Sequence, residues 1–238
     1  MLATASICAL AACPRPAWGG GIRILPLGDS ITQGGRSDRE EYSYRLPLFR
    51  LLTEAGMDVD FIGSQTAGLN PDFVWPDDFD PDHEGHYGWK TAAVRDHLPE
   101  WMSKWGGAPD LALVHLGFND QEPGGNYAAT IAAPLRDIIT MLREQNSRVV
   151  ILVGHLGLTG GEGPVIRVVV EALVAEMNTD ASPVVSVPHY KGWTENPTIP
   201  GSDTFDWAHP NPQGQMKMAV NWFAAMRPYL PASDASKP

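Results

Sequence analysis

From residue 22 to residue 230, two kinds of hydrophobic pattern alternate along the chain. One kind is a short, continuous apolar run rich in β-branched residues, which is typical of a parallel strand buried on both faces. The other kind has apolar residues at helical spacing and follows the apolar runs. Five strand-like runs are found, at 23–28, 59–64, 111–117, 148–156 and 183–190. This alternation predicts one parallel sheet with helices on both of its faces.

The helical segments carry recognisable start and stop residues. They lie at 42–56, 127–145, 164–177 and 211–230. Gly56 suits the position just after a helix, and Asn211 and Pro212 suit an N-cap and a first helical position. Pro47 and Pro134 predict a shifted start or a kink in the first two helices. The predicted fold is therefore an α/β, three-layer α/β/α sandwich with a five-stranded parallel sheet, flavodoxin-like in arrangement.

The two ends of the chain differ in composition from its body. The chain has 238 residues, of which 43% are hydrophobic, enough for a single domain that we place at 21–230. Residues 1–20 are apolar and small and then turn to Pro and Gly, like the remains of a secretory signal, and "LAAC" at Cys13 resembles a lipoprotein processing site. A truncated or misassigned start is the alternative. We expect a secreted or lipid-anchored protein with no transmembrane span and a disordered tail at 231–238.

The net charge narrows the possible partners. At pH 7 the formal charge is −11, and no cluster of Lys and Arg stands out. Nucleic acids and anionic membrane surfaces both select clustered basic residues, so neither is an expected partner. We expect a substrate that is neutral or apolar near its reacting bond. The sequence does not indicate an oligomeric state.

Polar residues follow the ends of two predicted strands. The first strand ends in "GDSIT", so Asp29 and Ser30 can form an ordinary turn or helix cap, or Ser30 can be a nucleophile. In open parallel sheets, ligands bind outside the carboxyl ends of the strands, which is where Ser30 is predicted to lie. Asn119 follows the third strand and offers an amide donor suited to an oxyanion, although a turn asparagine is equally compatible.

Two further features could complete a site with Ser30. Asp206 and His209 are three residues apart, just before the last helix, so the carboxylate can reach Nδ1 of the imidazole. The other ring nitrogen would then be free to accept a proton from a serine; a purely structural pair is the alternative. Gly88 precedes a helix-like segment, and its N–H can approach a ligand closely, unless it is an ordinary turn glycine.

In this order, "GDS", Gly88, "GFND" and "DWAH" resemble the four blocks of the SGNH (GDSL-type) hydrolase superfamily. The resemblance covers roughly residues 22–230. It implies that Ser30 is the nucleophile, His209 the base and Asp206 the residue that orients it. It also implies that the oxyanion is held by Gly88, Asn119 and the N–H of Ser30.

Two positions depart from the superfamily pattern. Ile31 replaces the Leu of the GDSL block, and Phe118 stands where many members carry a small polar residue before the Asn. The alignment of Gly88 is also open, because Gly85 lies three residues earlier. The resemblance nevertheless predicts a serine hydrolase that requires no cofactor.

The segment "HEGHYGW" beside "GDSITQG" resembles the carbohydrate-esterase branch, including acetylxylan esterases. This implies hydrolysis of short-chain, above all acetyl, esters of a carbohydrate, such as a plant polysaccharide. A general short-chain aryl or alkyl esterase, or lipase-like enzyme, is the alternative, and a non-catalytic carbohydrate-binding protein is a third. We expect the substrate to be bound by Asp29, Tyr87, Trp89, Phe118 and Trp207.

The same region contains residues that could suggest a metal. His83, Glu84 and His86 are ligand types, but "HEGH" does not match H-E-x-x-H and lies in a predicted loop, so no catalytic metal is expected. The acidic loop 77–84 could bind Ca²⁺ or simply be solvated. Nearby aromatic residues, including Trp75 and Phe79, either form a platform for a sugar ring or hold the loop to the domain.

Overall fold

The fold is seen in a computed structural model that describes residues 21–231. The sheet contains six strands, β1 (Ile22–Gly28), β2 (Val59–Phe61), β3 (Glu84–Gly85), β4 (Leu111–His115), β5 (Val150–Gly154) and β6 (Val184–Val187). All pairings are parallel, in the order β2-β1-β4-β5-β6. The two-residue β3 pairs with the carboxyl end of β1, on the same side as β2, which pairs with the amino end of β1. The predicted parallel α/β fold is confirmed.

Helices cover both faces of this sheet. They are α1 (Ser30–Gln33), α2 (Arg45–Glu54), α3 (Thr91–Met102), α4 (Ala133–Gln145), α5 (Gly163–Met177) and α6 (Pro212–Met226). Successive residues of β1 enter different cores: Leu25 and Leu27 pack with residues of α3, α4 and α5, whereas Ile24 packs with residues of α2 and α6. The central strands β1, β4 and β5 are therefore almost entirely buried, as their continuous apolar runs predicted, whereas β2 and β6 at the edges are partly exposed.

Some local predictions differ from the structure. Neither β3 nor α1 was predicted, because two and four residues are too few to show a period. The predicted helix 127–145 begins with a wide π turn, Ala128–Ala132, so Pro134 lies at the start of α4 and does not kink its interior. Pro47 lies in the first turn of α2, where a missing N–H leaves no hydrogen bond unmade.

The long loop between β2 and β3 is held to the domain by aromatic residues. The rings of Trp75 and Phe79 lie 5.4 Å apart, and Phe79 meets Phe49 edge-on at 5.7 Å. The buried guanidinium of Arg45 lies over the Trp75 ring at 4.9 Å. In the acidic part of the loop, Asp80 accepts a hydrogen bond from the N–H of Phe61 at 2.8 Å. Trp75 and Phe79 thus hold the loop to the domain. The loop ends at β3, at the carboxyl edge of the sheet.

The ends of the chain lie beyond the part that the structure describes. The predicted signal-like segment 1–20, with Cys13, and residues 232–238 of the predicted tail fall outside the described residues. Between residues 21 and 231, no helix has the length and apolar character needed to cross a bilayer.

Candidate active site

Ser30 stands at the carboxyl end of β1 because a close approach at Gly28 and a helix cap at Asp29 produce a sharp turn there. A side chain on Gly28 would press on Thr32 and come within 2.7 Å of the carbonyl oxygen of His115, so the chain passes closely at this point. Asp29 then caps α1, its Oδ1 accepting a hydrogen bond from the N–H of Ile31 at 3.0 Å. As a result Ser30 is the first residue of α1 and is only 6% exposed.

Ser30, His209 and Asp206 form one hydrogen-bonded chain. His209 Nε2 lies 3.0 Å from Ser30 Oγ, and Nδ1 lies 2.9 Å and 3.0 Å from the two oxygens of Asp206. Asp206 Oδ1 also accepts a hydrogen bond from the backbone N–H of His209 at 2.8 Å. The next helix is anchored by Asn211, the predicted N-cap, whose Oδ1 accepts from the N–H of Gly214 at 3.1 Å. The tight turn at 206–209 therefore presents the imidazole edge to the serine.

The charge of Asp206 suits this geometry. Burial alone would raise its pKa, but hydrogen bonds from the backbone and ring of His209, with a further one from Arg39, outweigh that effect and lower the pKa to about 2. The carboxylate is therefore ionised at neutral pH and can accept the Nδ1–H of His209. That tautomer leaves the Nε2 lone pair directed at the serine hydroxyl, which is the arrangement needed to remove its proton.

Asn119 is positioned by a short turn after β4. The turn, Phe118–Asp120, follows Gly117, whose φ of 110° favours glycine. Asn119 Nδ2 donates to the carbonyl oxygen of Trp89 at 2.9 Å and to Asp29 Oδ2 at 3.4 Å. The first bond fixes the plane of the amide. The second is long and therefore weak, so this N–H can be redirected to a bound oxygen.

The structure distinguishes the two glycines that compete as oxyanion donor. Gly85 is buried in β3, where a side chain would lie 2.5 Å from the backbone nitrogen of Gln33, so its role is to allow close packing against α1. Gly88 is exposed, has φ of 80°, and a side chain there would meet nothing within 4 Å. Gly88 is thus the glycine that borders open space.

The residues predicted to bind substrate fall into two groups. Tyr87 and Trp207 lie beside the hydrogen-bonded chain of Ser30, His209 and Asp206. The Tyr87 ring stacks on the His209 ring at 5.2 Å, and Trp207 follows Asp206 and is 53% exposed. Trp207 also has a φ of 70°, which is unusual for a bulky residue. These two are the predicted residues with aromatic surface next to His209.

The other three predicted binding residues are more enclosed. Asp29 is fully buried, and its pKa is raised to about 7 by burial, so it shapes the site from beneath and has no surface for a ligand. The Trp89 ring packs against His97 and Trp101, while its carbonyl holds Asn119. Phe118 is half-buried and packs against the cores on both faces of the sheet.

The "HEGH" residues are occupied with internal hydrogen bonds. His83 contacts the carbonyl oxygen of Ala67 at 3.0 Å and accepts from the N–H of Gly85 at 2.9 Å. Glu84 accepts from Trp105 Nε1 at 2.6 Å and lies 2.7 Å from His86 Nε2. Within residues 21–231, no group of three or more His, Cys, Asp and Glu is arranged to hold a metal ion. These side chains tie β3 to its neighbours.

Two supporting residues had no signal in the sequence. Arg39 donates to Asp206 Oδ2 at 3.0 Å, and Gln33 Oε1 accepts from the N–H of Tyr87 at 2.8 Å. Arg39 belongs to the highly charged run 36–41, which has the composition of a solvated loop. Its partner is distant in the chain, so no local pattern could reveal the contact.

A serine, histidine and aspartate hydrogen-bonded in series at the carboxyl edge of a parallel sheet is the arrangement found in serine hydrolases. The sequence profile of the GDSL-like lipase/acylhydrolase family matches residues 27–217, and the chain belongs to this family. The resemblance noted from the sequence motifs is therefore confirmed.

Known relatives agree with this assignment. A multidomain esterase from Ruminococcus flavefaciens is 27% identical over an alignment of 262 positions, which covers 98% of this chain and 32% of that protein. The chain thus spans about a third of the length of this curated relative.

Two solved structures also resemble the fold. An acetyl esterase, crystallised as a serine-to-alanine mutant with an acetate ion, is 25% identical with a TM-score of 0.70, over 87% of this chain and 96% of that one. A family 3 carbohydrate esterase from Clostridium thermocellum is 28% identical with a TM-score of 0.68, over 86% and 94%. The chain thus belongs to the GDSL-like lipase/acylhydrolase family and has carbohydrate esterases among its structural neighbours.

Proposed function

We propose that the protein is a serine esterase that removes acetyl groups from a carbohydrate, with a plant polysaccharide such as xylan as substrate, through an acyl-serine intermediate. The observation that carries the mechanism is the contact of 3.0 Å between His209 Nε2 and Ser30 Oγ, with Asp206 on the opposite ring nitrogen. This distance supports His209 as the base that takes the proton of a hydroxyl at the edge of the sheet.

In the proposed reaction His209 takes the proton of Ser30 as the serine oxygen attacks the ester carbonyl. The oxyanion of the tetrahedral intermediate is held by the N–H groups of Ser30 and Gly88 and by the amide of Asn119. The C–O bond to the sugar then breaks, and His209 returns the proton to the leaving sugar oxygen. Water, deprotonated by His209, attacks the acyl-serine, which releases acetate and restores Ser30.

The surface beside His209 supports a sugar as the alcohol part of the ester. Tyr87 stacks on the imidazole, and the half-exposed Trp207 is held with φ of 70°, a conformation that costs roughly 1–3 kcal/mol and is concentrated at functional sites. Aromatic faces offer apolar area to a sugar ring. The acetyl esterase among the structural neighbours supports the short acyl group. A general aryl or alkyl esterase is the alternative, for which Phe118 would supply an apolar acyl slot. The intact chain of Ser30, His209 and Asp206 argues against a third possibility, a non-catalytic binding protein.

A polymeric substrate would be met outside the cytoplasm. The signal-like composition of residues 1–20 supports the proposal that the protein is exported, with Cys13 as a candidate for lipidation. Fractionation of the producing cells would place the protein in the medium or envelope if this is correct, and in the cytoplasm if it is not.

The function is tested by measuring acetate release from acetylated xylan beside hydrolysis of p-nitrophenyl acetate, butyrate and octanoate. Ser30→Ala is expected to lower kcat by several orders of magnitude, and Asn119→Ala by about 10²–10³-fold. Ser103→Ala is the matched control, because this exposed serine lies at the end of α3 and its hydroxyl donates to the backbone carbonyl oxygen of Glu100. It should retain wild-type activity.

The pattern of activities decides between the alternatives. Acetate release that depends on Ser30, with a steep decline beyond the acetyl ester, supports the carbohydrate deacetylase. Hydrolysis of the aryl esters without release of acetate from xylan would indicate a general esterase. Wild-type turnover in Ser30→Ala would refute the proposed mechanism.

A further inference from the structure

Asp206 has a second charged partner besides His209. Arg39 Nη2 donates to Asp206 Oδ2 at 3.0 Å, the same oxygen that lies 2.9 Å from His209 Nδ1. Arg39 belongs to the loop between α1 and α2, whereas Asp206 belongs to the loop before α6. The contact therefore joins two loops that enter the site from different parts of the chain.

Arg39 is itself fixed by its surroundings. Its Nε donates to Glu41 Oε2 at 2.7 Å, and its Nη2 lies 2.6 Å from the same oxygen. The Glu41 side chain is 1% exposed, and the guanidinium also lies over the Phe205 ring at 4.6 Å. A planar guanidinium held on two edges and one face has little freedom to turn.

Asp206 needs such support because of its location. Its side chain is 37% exposed, and the torsion that turns a carboxylate has broad minima. An exposed carboxylate that can rotate would align with His209 for only part of the time. The backbone N–H of His209 holds Oδ1 at 2.8 Å, and Arg39 fixes Oδ2, so the carboxylate is held at both oxygens and cannot turn.

We propose that Arg39 is a positioning residue that, braced by the buried Glu41, holds the Asp206 carboxylate in the orientation His209 requires. The inference rests on the proposed function, since it assigns Arg39 a role in that reaction. Arg39 acts through Asp206 and has no contact with Ser30 or His209 of its own among the hydrogen bonds of the site.

Because of the charges around the site, loss of Arg39 should change the pH dependence of kcat/KM. Arg39 faces the carboxylates of Asp206 and Glu41, and Glu41 is also approached by Arg36 at 3.9 Å and interacts electrostatically with His209. Removing Arg39 takes a positive charge away from Asp206 and from the imidazole that Asp206 contacts, so the surroundings of His209 become more negative. The acidic limb of the kcat/KM profile should then move to higher pH.

The test compares Arg39→Met, Arg39→Lys and the double variant Arg39→Met/Glu41→Gln with the wild type. Arg39→Met is expected to lower kcat about tenfold with little change in KM, and to shift the acidic limb upward by about half a pH unit. Lysine keeps the charge but lacks the planar fork, so Arg39→Lys should recover part of kcat. Arg136→Met is the control, because Arg136 forms an equivalent two-bond pair with Glu176 on exposed helix surfaces.

The double variant separates positioning from a merely structural effect. In Arg39→Met the buried Glu41 side chain loses its close charged partner. Adding Glu41→Gln removes the carboxylate that has lost this partner. If the loss comes through Asp206, the double variant regains thermal stability and keeps the lowered kcat. Recovery of wild-type kcat in the double variant, or an unchanged kcat and pH profile in Arg39→Met, would overturn the proposal. Activity that persists in Ser30→Ala would instead refute the proposed function, so the two failures are distinguishable.

Discussion

Asp29, in the turn before Ser30, offers a test of how a buried carboxyl group affects stability and activity. It is fully buried, accepts one hydrogen bond of 3.0 Å from the N–H of Ile31, and has only a long contact of 3.4 Å with Asn119. Burial raises its pKa from an ordinary 3.8 to about 7, with the charge of Asp120 adding to the effect. Replacing it by Asn keeps the shape and the acceptor for Ile31 and removes the ionisable group.

The sign of the effect follows from linkage. Because the pKa is raised in the folded state, the contribution of Asp29 to stability is fully present below about pH 4 and is lost as the pH rises through 7. The pKa difference of about three pH units, at about 1.4 kcal/mol for each, corresponds to about 4 kcal/mol. The free energy of unfolding of Asp29→Asn relative to wild type should therefore increase by up to about 4 kcal/mol between about pH 4 and about pH 8.5.

The measurement is urea unfolding of both proteins across this pH range at 25 °C. Asp120→Asn is a contrasting variant and not an independent control, because the charge of Asp120 contributes to the raised pKa of Asp29. Asp120 Oδ2 accepts from both the N–H and the hydroxyl of Thr91, at 3.0 Å and 2.7 Å. Loss of this charged acceptor should destabilise the protein by about 1–3 kcal/mol. A stability difference between Asp29→Asn and wild type that does not change with pH would refute the reasoning about Asp29.

The same variant should be less active although it is more stable at alkaline pH. An amide at position 29 can place its NH₂ group opposite the Asn119 NH₂ group, where Asp29 Oδ2 now accepts a weak hydrogen bond. Two donors facing each other would displace Asn119, so kcat on p-nitrophenyl acetate should fall while the free energy of unfolding rises. Opposite changes in stability and activity are expected where a buried charge is retained for function.

Two further predictions concern residues beneath the site. Gly28→Ala places a methyl group within 2.7 Å of the His115 carbonyl oxygen and against Thr32. We expect the free energy of unfolding to fall by about 1–3 kcal/mol and the esterase activity to fall as Ser30 shifts. An unchanged Tm would contradict this close packing. Burial lowers the pKa of His115 to about 4, so its contribution to stability is present above pH 6.5 and is lost as the pH falls toward 4. His115→Gln should therefore weaken the acid dependence of the unfolding free energy measured in urea, and an identical dependence in both proteins would argue against the shift.

The order of strands and helices could be predicted from the sequence because each long element repeats a pattern over many residues. The apolar runs of β4 and β5 and the helical spacing of α5 are examples. Elements that depend on a single contact could not be predicted. The two residues of β3 form a strand only because the long loop brings Glu84 beside Leu27, and nothing in their own sequence indicates this.

The same physical distinction separates the residues of the site that were predicted from those that were missed. Ser30, His209 and Asn119 are each presented by a local device: the Asp29 cap, the three-residue spacing to Asp206, and the turn after Gly117. Such devices involve neighbouring residues, so they leave motifs that can be read along the chain.

The groups that brace these residues are contributed from elsewhere. Arg39 reaches Asp206 across 167 positions, and the carbonyl of Trp89 holds Asn119 across 30. A backbone carbonyl has no residue signature, and a charged loop residue looks like any solvated one. The support of the site is thus a property of the assembled fold. Substitutions at the motif residues should abolish the proposed chemistry, whereas substitutions at the bracing residues should shift its rate and its pH dependence.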